Sequence, residues 1–317
     1  MRFRRTAGLL ATVVAGAAVL AGTVSAGGSV LSGTITADGS STLGPYVTAA
    51  AEGFQKKNPN TRVTVGIAGT GGGFTRFCKG ETDIANASRK IRQGAGSEAE
   101  ACKNNGIPYI AFAAANDGIS IVVNQQNTWA TCLTTAELKK IWEPGSKVDN
   151  WNDIRSSFPN QSLKLFGPGT DSGTFDFFTE HINGRARASR ADYQASEDDN
   201  VLVQGVAGER GGMAYFGLSY ALENTSRLNI VSIDKGNGCV RPGNQSVQNR
   251  TYPISRGLYM YVKKSSFKRA EVQKFIQYIL NNEKAIAVKA KFVPLTPTQL
   301  KNAKRLFKYA VLNAKKT

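Results

Sequence analysis

Short extended segments alternate with helical ones along most of this chain, and no other feature limits its fold as much. Arg62-Val63-Thr64-Val65-Gly66-Ile67 has a period of two and reads as a strand. Before it, Val47, Ala50, Ala51 and Phe54 recur at helical spacing behind Pro45, a residue suited to a first helical turn. After it, Phe74, Phe77 and Cys78 repeat that spacing. Ser97-Glu98-Ala99-Glu100 is a capping box, and Gly106 closes the short helix behind it. Ile107–Ala114 and Ile119–Asn124 read as two strands joined around Asn116-Asp117-Gly118. Thr134-Thr135-Ala136-Glu137 opens another capped helix. Near the end, Val272, Phe275, Ile276 and Ile279 mark one amphipathic helix, and Leu300, Ala303, Phe307 and Ala310 mark a second. This alternation predicts an α/β fold of lobes with largely parallel sheets.

With 317 residues, 41% of them hydrophobic, the chain has room for about two cores. No low-complexity linker divides it. The boundary is expected near Asp117, crossed on extended strands, with Gly257-Leu258-Tyr259-Met260-Tyr261-Val262 as the returning strand. That predicts a discontinuous first lobe, residues 27–117 plus 255–317, and a second lobe, 118–254.

Residues 1–26 stand apart. Arg2, Arg4 and Arg5 precede an uncharged apolar run from Gly8 to Gly22, and Val24-Ser25-Ala26 supplies small residues at the cut. This is the layout of a cleaved secretory signal peptide, so the chain is expected in the periplasm or outside the cell. A bacterial lipoprotein would need Cys after Leu20-Ala21-Gly22, where this chain has Thr23. Cys78, Cys102, Cys132 and Cys239 all follow the leader, and an even count in an exported chain reads as two disulfides. Of three possible pairings, Cys78–Cys102 closes a short local loop and Cys132–Cys239 staples one lobe. This pairing is the expected one.

Four Gly/Ser/Thr-rich segments fall between strands and helices. They are Asp38-Gly39-Ser40-Ser41-Thr42-Leu43, Gly69-Thr70-Gly71-Gly72-Gly73-Phe74, Asn86-Ala87-Ser88-Arg89 and Gly169-Thr170-Asp171-Ser172-Gly173-Thr174. A helix N-terminus carries unpaired N–H groups and a partial positive charge, which together suit an anion. Glycine lets the backbone approach closely, and hydroxyls add donors. Any one segment is more readily a simple helix cap; four in one chain point to an anion site. None is a Walker A loop or a dinucleotide fingerprint, so the anion is expected to be small and bound whole. The single histidine, His181, excludes His-rich zinc sites and is expected at a surface or cap. Trp129, Trp142 and Trp151 are expected to pack in the core or between lobes.

These segments, in this order and spacing, resemble the phosphate-binding protein of the bacterial high-affinity phosphate ABC transporter. The resemblance rests on Gly-Ser-Ser-Thr-Leu at 39–43, Gly-Thr-Gly-Gly-Gly-Phe at 69–74, Asp-Ile-Ala-Asn-Ala-Ser-Arg at 83–89 and Gly-Pro-Gly-Thr-Asp-Ser-Gly-Thr-Phe-Asp at 167–176. The stretch from Leu133-Thr134 to Trp151-Asn152-Asp153 matches as well, so nearly the whole mature chain is covered. The resemblance implies a type II periplasmic-binding-protein fold, with two α/β lobes closing on the anion. It also implies no catalysis and no cofactor, and a monomer that hands inorganic phosphate to membrane permease subunits. By position it implies ligand contacts from Ser41, Thr42, the Leu43 N–H, Thr70, Gly71, Ser88, Arg89, Asp171, Ser172, Gly173 and Thr174. The best-known members carry an acid where this chain has Arg89, and an Arg where it has Pro168. Arg89 and Asp171 then read as the same two charges with their lobes exchanged. On this reading Arg89 forks two phosphate oxygens, and Asp171 accepts the proton of hydrogen phosphate while repelling sulfate.

Lys and Arg number 40 against 23 acids, a net charge of +17 that falls to +14 without the three leader arginines. A basic field steers anions or holds a protein on an anionic envelope. Nucleic acid is not an expected partner of an exported chain without a basic, aromatic-laced stripe. Two other classes compete with phosphate capture. A phosphohydrolase needs a metal cluster or an activated nucleophile, and a basic surface scaffold would bind phosphate only incidentally.

Overall fold

The computed structural model describes residues 31–314, apart from Asp171 and Glu197. The leader read at 1–26 lies outside the described residues. β1 (Gly33–Gly39), α1 (Gly44–Lys57), β2 (Thr61–Val65), α2 (Gly69–Cys78), β3 (Ile84–Ala87) and α3 (Glu98–Asn104) lead into a long strand, β4 (Tyr109–Asn124). Then come β5 (Cys132–Thr134), α4 (Thr135–Trp142), α5 (Trp151–Ile154), β6 (Lys164–Gly167), α6 (Gly173–Asn183), β7 (Gln194–Ala195) and α7 (Asp199–Gly208). β8 (Gly212–Gly217), α8 (Leu218–Glu223), β9 (Leu228–Asp234), β10 (Cys239–Val240) and α9 (Asn244–Gln248) precede a second long strand, β11 (Ser255–Lys263). A 3-10 turn (Lys264–Lys268) and helices α10 (Ala270–Asn281), α11 (Glu283–Lys289) and α12 (Pro297–Ala314) follow.

The elements are the mixed α/β set expected. Two local expectations are corrected. The segments 107–114 and 119–124 are not two strands around a turn but one continuous strand, β4. Asn116, Asp117 and Gly118 have turn-like side chains, yet they pair in register with Gly257, Arg256 and Ser255 of β11. Their polar groups are met there. The Asn116 amide donates to Pro294 O (3.0 Å) and Gln299 Oε1 (3.1 Å) and accepts from Arg250 Nη2 (2.9 Å). Asp117 accepts from Arg256. With those partners an extended backbone is no worse than a turn.

The sheets are also less parallel than expected. β1 pairs in parallel with β2 and β3, and β6 with β7 and β8. The two long strands pair antiparallel with every neighbour: β11 with β3 and β4, and β4 with β8 and β9. The cause is connectivity, since a strand that carries the chain back past the outgoing one must run the other way.

One core gathers Ile35, Tyr46, Phe54, Phe112, Met260 and Phe275, from both ends of the described chain. Phe74, Phe77 and Tyr261 form a smaller cluster beside it. Another gathers Trp142, Trp151, Phe178, Tyr215 and Ile233, with Phe166, Val203 and Phe216 in a further cluster on the strands it shares. The changeover along β4 falls between Ala115 and Ile119. Val293 is an exception. It lies in the C-terminal segment but packs in the cluster of Trp142, held by paired backbone hydrogen bonds with Asn116 (2.8 and 3.0 Å). Trp142 and Trp151 are fully buried, and Trp129 packs against their cluster.

Cys78–Cys102 ties α2 to α3, and Cys132–Cys239 ties β5 to β10 on either side of β9, the pairing the spacing suggests. The loops they close span 24 and 107 residues. Loop-closure entropy predicts a loss of about 3 kcal/mol for Cys78→Ala/Cys102→Ala and about 5 kcal/mol for Cys132→Ala/Cys239→Ala. Urea titration of the two double variants measures both, and the reverse order would show that native contacts, not loop length, set the effect.

Candidate functional site

The site is assembled from helix starts. Ser40 N donates to Asn86 O (2.9 Å), and its hydroxyl accepts from Leu43 N (3.4 Å), which shapes the entry to α1. The Leu43 side chain is buried in the core, so its N–H is held in place by packing. At α2, Thr70 Oγ1 accepts from Ser88 N (3.2 Å) and lies 3.0 Å from Ser88 Oγ, so the second and third Gly/Ser/Thr segments touch. A Cβ on Gly73 would stand 2.4 Å from the Gly39 Cα, so only glycine lets α2 press on the first loop. Asp38 binds these loops together. Its Oδ1 accepts from Gly39 N (2.7 Å) and Ala68 N (3.0 Å), and Oδ2 pairs with Arg76.

From the other core comes α6. Ser172 caps it by accepting from Thr174 N (3.1 Å). Gly173 meets the α1 loop so closely that a Cβ there would lie 2.0 Å from Thr42 Oγ1 and 2.6 Å from Thr42 N. The N-termini of α1 and α6 therefore face each other at contact distance. Asp171 lies outside the described residues.

Arg256 completes this junction. It sits directly opposite Asp117 in the β4–β11 ladder, and its side chain is only 10% exposed. Nε donates to Asp117 Oδ2 (3.0 Å), while Nη2 donates to Thr42 Oγ1 (2.8 Å) and Gly173 O (3.2 Å). The guanidinium stacks 4.0 Å from the Phe177 ring centroid. Burial pushes its pKa down and the Asp117 carboxylate opposes that, leaving a charged guanidinium. Sequence reading passed over Arg256 because it precedes the predicted return strand by one residue. The signal that finds it is the register that sets it against Asp117.

A cleft of about 850 Å³ is lined by Thr70, Ser88, Arg89, Asp176, His181 and Arg256, among others. A neighbouring cavity of about 480 Å³ is lined by Ser41, Thr42, Asp117, Ser172, Thr174 and Tyr220. The first carries the cations Arg89, Lys90, Arg92, Lys235 and Arg256 against two acids, Asp176 and Glu180. Arg89 is engaged: its Nη1 and Nη2 fork the Glu98 carboxylate at 3.0 and 2.6 Å. Although burial opposes it, this fork and the Arg92 N–H hold the Glu98 carboxyl below its usual range. Asp176 is different. Its Oδ1 is buried with no hydrogen bond, the nearest cation being Arg187 at 3.7 Å, and burial raises its pKa. Among the described residues no group of three or more His, Cys, Asp or Glu side chains is placed to hold a metal.

His181 lies in the last turn of α6, half-buried along the cleft with its ring 5.4 Å from Phe177, rather than on open surface. Burial and then the Lys235 charge lower its pKa.

Comparison with known proteins gives one consistent picture. The PBP superfamily domain matches residues 24–283. The protein SphX of Synechococcus elongatus is 47% identical over 259 residues, 80% of this chain and 75% of that protein. The phosphate-binding protein PstS of Staphylococcus saprophyticus is 34% identical over 259 residues, 80% of this chain and 78% of its own length. The crystal structure of a possible phosphate-binding protein from Planctomyces limnophilus has a TM-score of 0.83 and 42% identity, covering 89% of this chain and 99% of that one. The fold is thus the type II periplasmic-binding-protein fold.

The lowered pKa of His181 has a defined consequence. The unfolded chain, with a histidine pKa of about 6.5, binds the proton more tightly than the folded one. Stability therefore falls as pH drops below about 6.5, and the loss is complete below the folded pKa. Melting temperatures across that range should show a shallower decline in His181→Gln than in the native chain. Identical profiles would assign the decline to other groups.

Proposed function

This chain belongs to the PBP superfamily and, within it, to the family of SphX and the PstS phosphate-binding proteins, and on that premise we propose that it captures inorganic phosphate and delivers it to an ABC permease. The observation that carries this reading is the Arg256 junction. One buried cation bridges the N-termini of two helices, α1 and α6, that belong to different cores. A dianion leaving water needs its charge and every oxygen met, and helix N–H groups, hydroxyls and a guanidinium do that together.

We assign the donors to Ser41, Thr42 and the Leu43 N–H at α1, and to Ser172, Gly173 and Thr174 at α6. Thr70, Gly71, Ser88 and Arg89 add the wall of the larger cleft. The lobes are 27–117 plus 255–317 and 118–254, hinged on β4 and β11, and Arg256 stands at that hinge beside Asp117. Arg256 takes the role of principal cation: Glu98 holds both Nη groups of Arg89, whereas Asp117 holds only Nε of Arg256, whose Nη2 already reaches the α1 and α6 N-termini. The protein acts as a monomeric receptor rather than a hydrolase. Capture needs only donors and a counter-charge, whereas hydrolysis needs an activated nucleophile or metal. Two disulfides accord with export to the periplasm or beyond.

Hydrogen phosphate carries a proton that sulfate lacks, so a carboxylate acceptor discriminates between them. Asp171 precedes the Ser-Gly-Thr motif, and Asp176, one turn into α6, offers a buried oxygen without a hydrogen bond. We assign the proton to Asp176, supported by Asp171.

Calorimetry with phosphate tests the cation. Arg256→Gln should weaken binding by about 2–5 kcal/mol, at least thirtyfold in Kd, the range for truncating a buried charge partner. Arg89→Gln should lose about tenfold or less. The opposite ranking would return the role to Arg89. Titration with sulfate at the same salt tests the acceptor. Asp176→Asn should admit sulfate measurably and Asp171→Asn less so, and exclusion kept in both variants would clear the carboxylates of selectivity.

A further inference from the structure

The net charge of this chain is not spread along it. Residues 235–317 hold 18 of the 40 Lys and Arg and only two acids, Glu271 and Glu283, so this stretch carries 16 of the 17 net positive charges. Both acids are buried, at 9% and 3% exposure, so neither offsets the surface. Lys301, Lys304, Arg305 and Lys308 of α12 recur at spacings of three and four, which places them on one face of the helix. The opposite face, with Leu300, Ala303, Phe307 and Ala310, packs on the core. None of the four cations makes an ion pair among the described residues, nor do Lys264 and Lys268 of the neighbouring 3-10 turn.

The same outward face ends in two apolar side chains, Tyr309 and Leu312, exposed at 53% and 56%. Tyr309 also lines a groove of about 320 Å³, with Pro108, Ile110, Ala310, Lys264 and Lys268. An ordinary solvated helix face mixes both signs of charge and leaves few large apolar groups in water. This one is cationic, free of acids and apolar at one end.

We propose that this face of α12, with the adjoining groove, seats the protein on the surface of an anionic phospholipid bilayer. Among the described residues no helix is long and apolar enough to cross a membrane, so the contact is peripheral. Long Lys and Arg stems lie along the interface while their charges meet lipid phosphates, each charge strengthening adsorption about fivefold. Tyr309 and Leu312 enter the boundary between headgroups and acyl chains, where an amphipathic tyrosine is well placed. A soluble polyanion would answer the charges but leave Tyr309 and Leu312 in water, which is why the occupant assigned is a bilayer. The inference does not depend on the phosphate reading, since none of these residues lines the candidate site.

Co-sedimentation of the purified chain with vesicles tests it. Vesicles of phosphatidylcholine with about one-third phosphatidylglycerol should bind at least tenfold more protein than phosphatidylcholine alone at about 0.1 M salt, and much less at about 0.5 M. Changing Lys301, Lys304, Arg305 and Lys308 together to Glu should lower affinity at least about 100-fold. Tyr309→Ser/Leu312→Ser should lower it by about tenfold without altering the salt dependence. Each variant should keep the native melting temperature and phosphate affinity, which separates loss of docking from loss of fold. Equal adsorption to neutral and anionic vesicles, or a charge-reversed protein that still binds, would overturn the proposal. So would polyphosphate competing fully while Tyr309→Ser/Leu312→Ser changes nothing, because the face would then be a site for soluble polyanions.

Discussion

The pairing of Arg256 with Asp117 is the contact on which the rest of this structure turns. Both residues lie on the long antiparallel strands where one core gives way to the other, and they face each other across the ladder. A buried guanidinium and carboxylate contribute little net stability as a pair, but leaving either one alone costs about 3–5 kcal/mol. A one-residue slip between β4 and β11 would do that, and it would also turn every apolar side chain on the shifted strand to the wrong face. The pair therefore fixes register at the place where register decides which loops meet. Once it is fixed, the guanidinium Nη2 reaches Thr42 and Gly173, and the α1 and α6 N-termini are brought together.

The loops around this junction are shaped by small residues and one carboxylate. Gly73 and Gly173 allow backbone approaches that any Cβ would block. Asp38 spends its oxygens on two backbone N–H groups and Arg76, so it organises the loops rather than facing a ligand. The engaged acids Asp38, Glu98 and Asp117 are each satisfied by protein partners. Asp176 differs from them in keeping a buried oxygen without a hydrogen bond. Positive charge is layered in the same way. Arg256 acts within the junction, Arg89 and its neighbours line the wider cleft, and the exposed lysines of α12 lie on an outer face away from both. These layers work over different distances, since buried charge is barely screened and exposed charge fades within about 8 Å at physiological salt.

Much of this was legible in the residues themselves. Periodicity marked the helices that the structure bounds at 44–57, 69–78, 270–281 and 297–314, because each buries one apolar stripe. The Cys count and spacing gave the two disulfides. The Gly/Ser/Thr segments marked the N-termini of α1, α2 and α6; of these, α1 and α2 have no side-chain cap and Ser172 caps α6. Polar residues in strands misled. Asn116-Asp117-Gly118 has the composition of a turn, but its side chains are answered by Pro294, Gln299, Arg250 and Arg256, all more than 130 positions away. Local propensity cannot register partners at that separation.

The division follows from the range of the forces. By itself the sequence determined the alternating elements, the family to which the motifs belong, an even cysteine count that favours two disulfides, and the concentration of charge near the C-terminus. These depend on local spacing and composition. Only the tertiary structure decided that β4 is unbroken, that the Arg89 fork is closed by Glu98, and that Arg256 is the cation between the facing helices. Those outcomes depend on strand register and on which charged groups the folded chain brings within reach of each other, and neither can be read from local spacing.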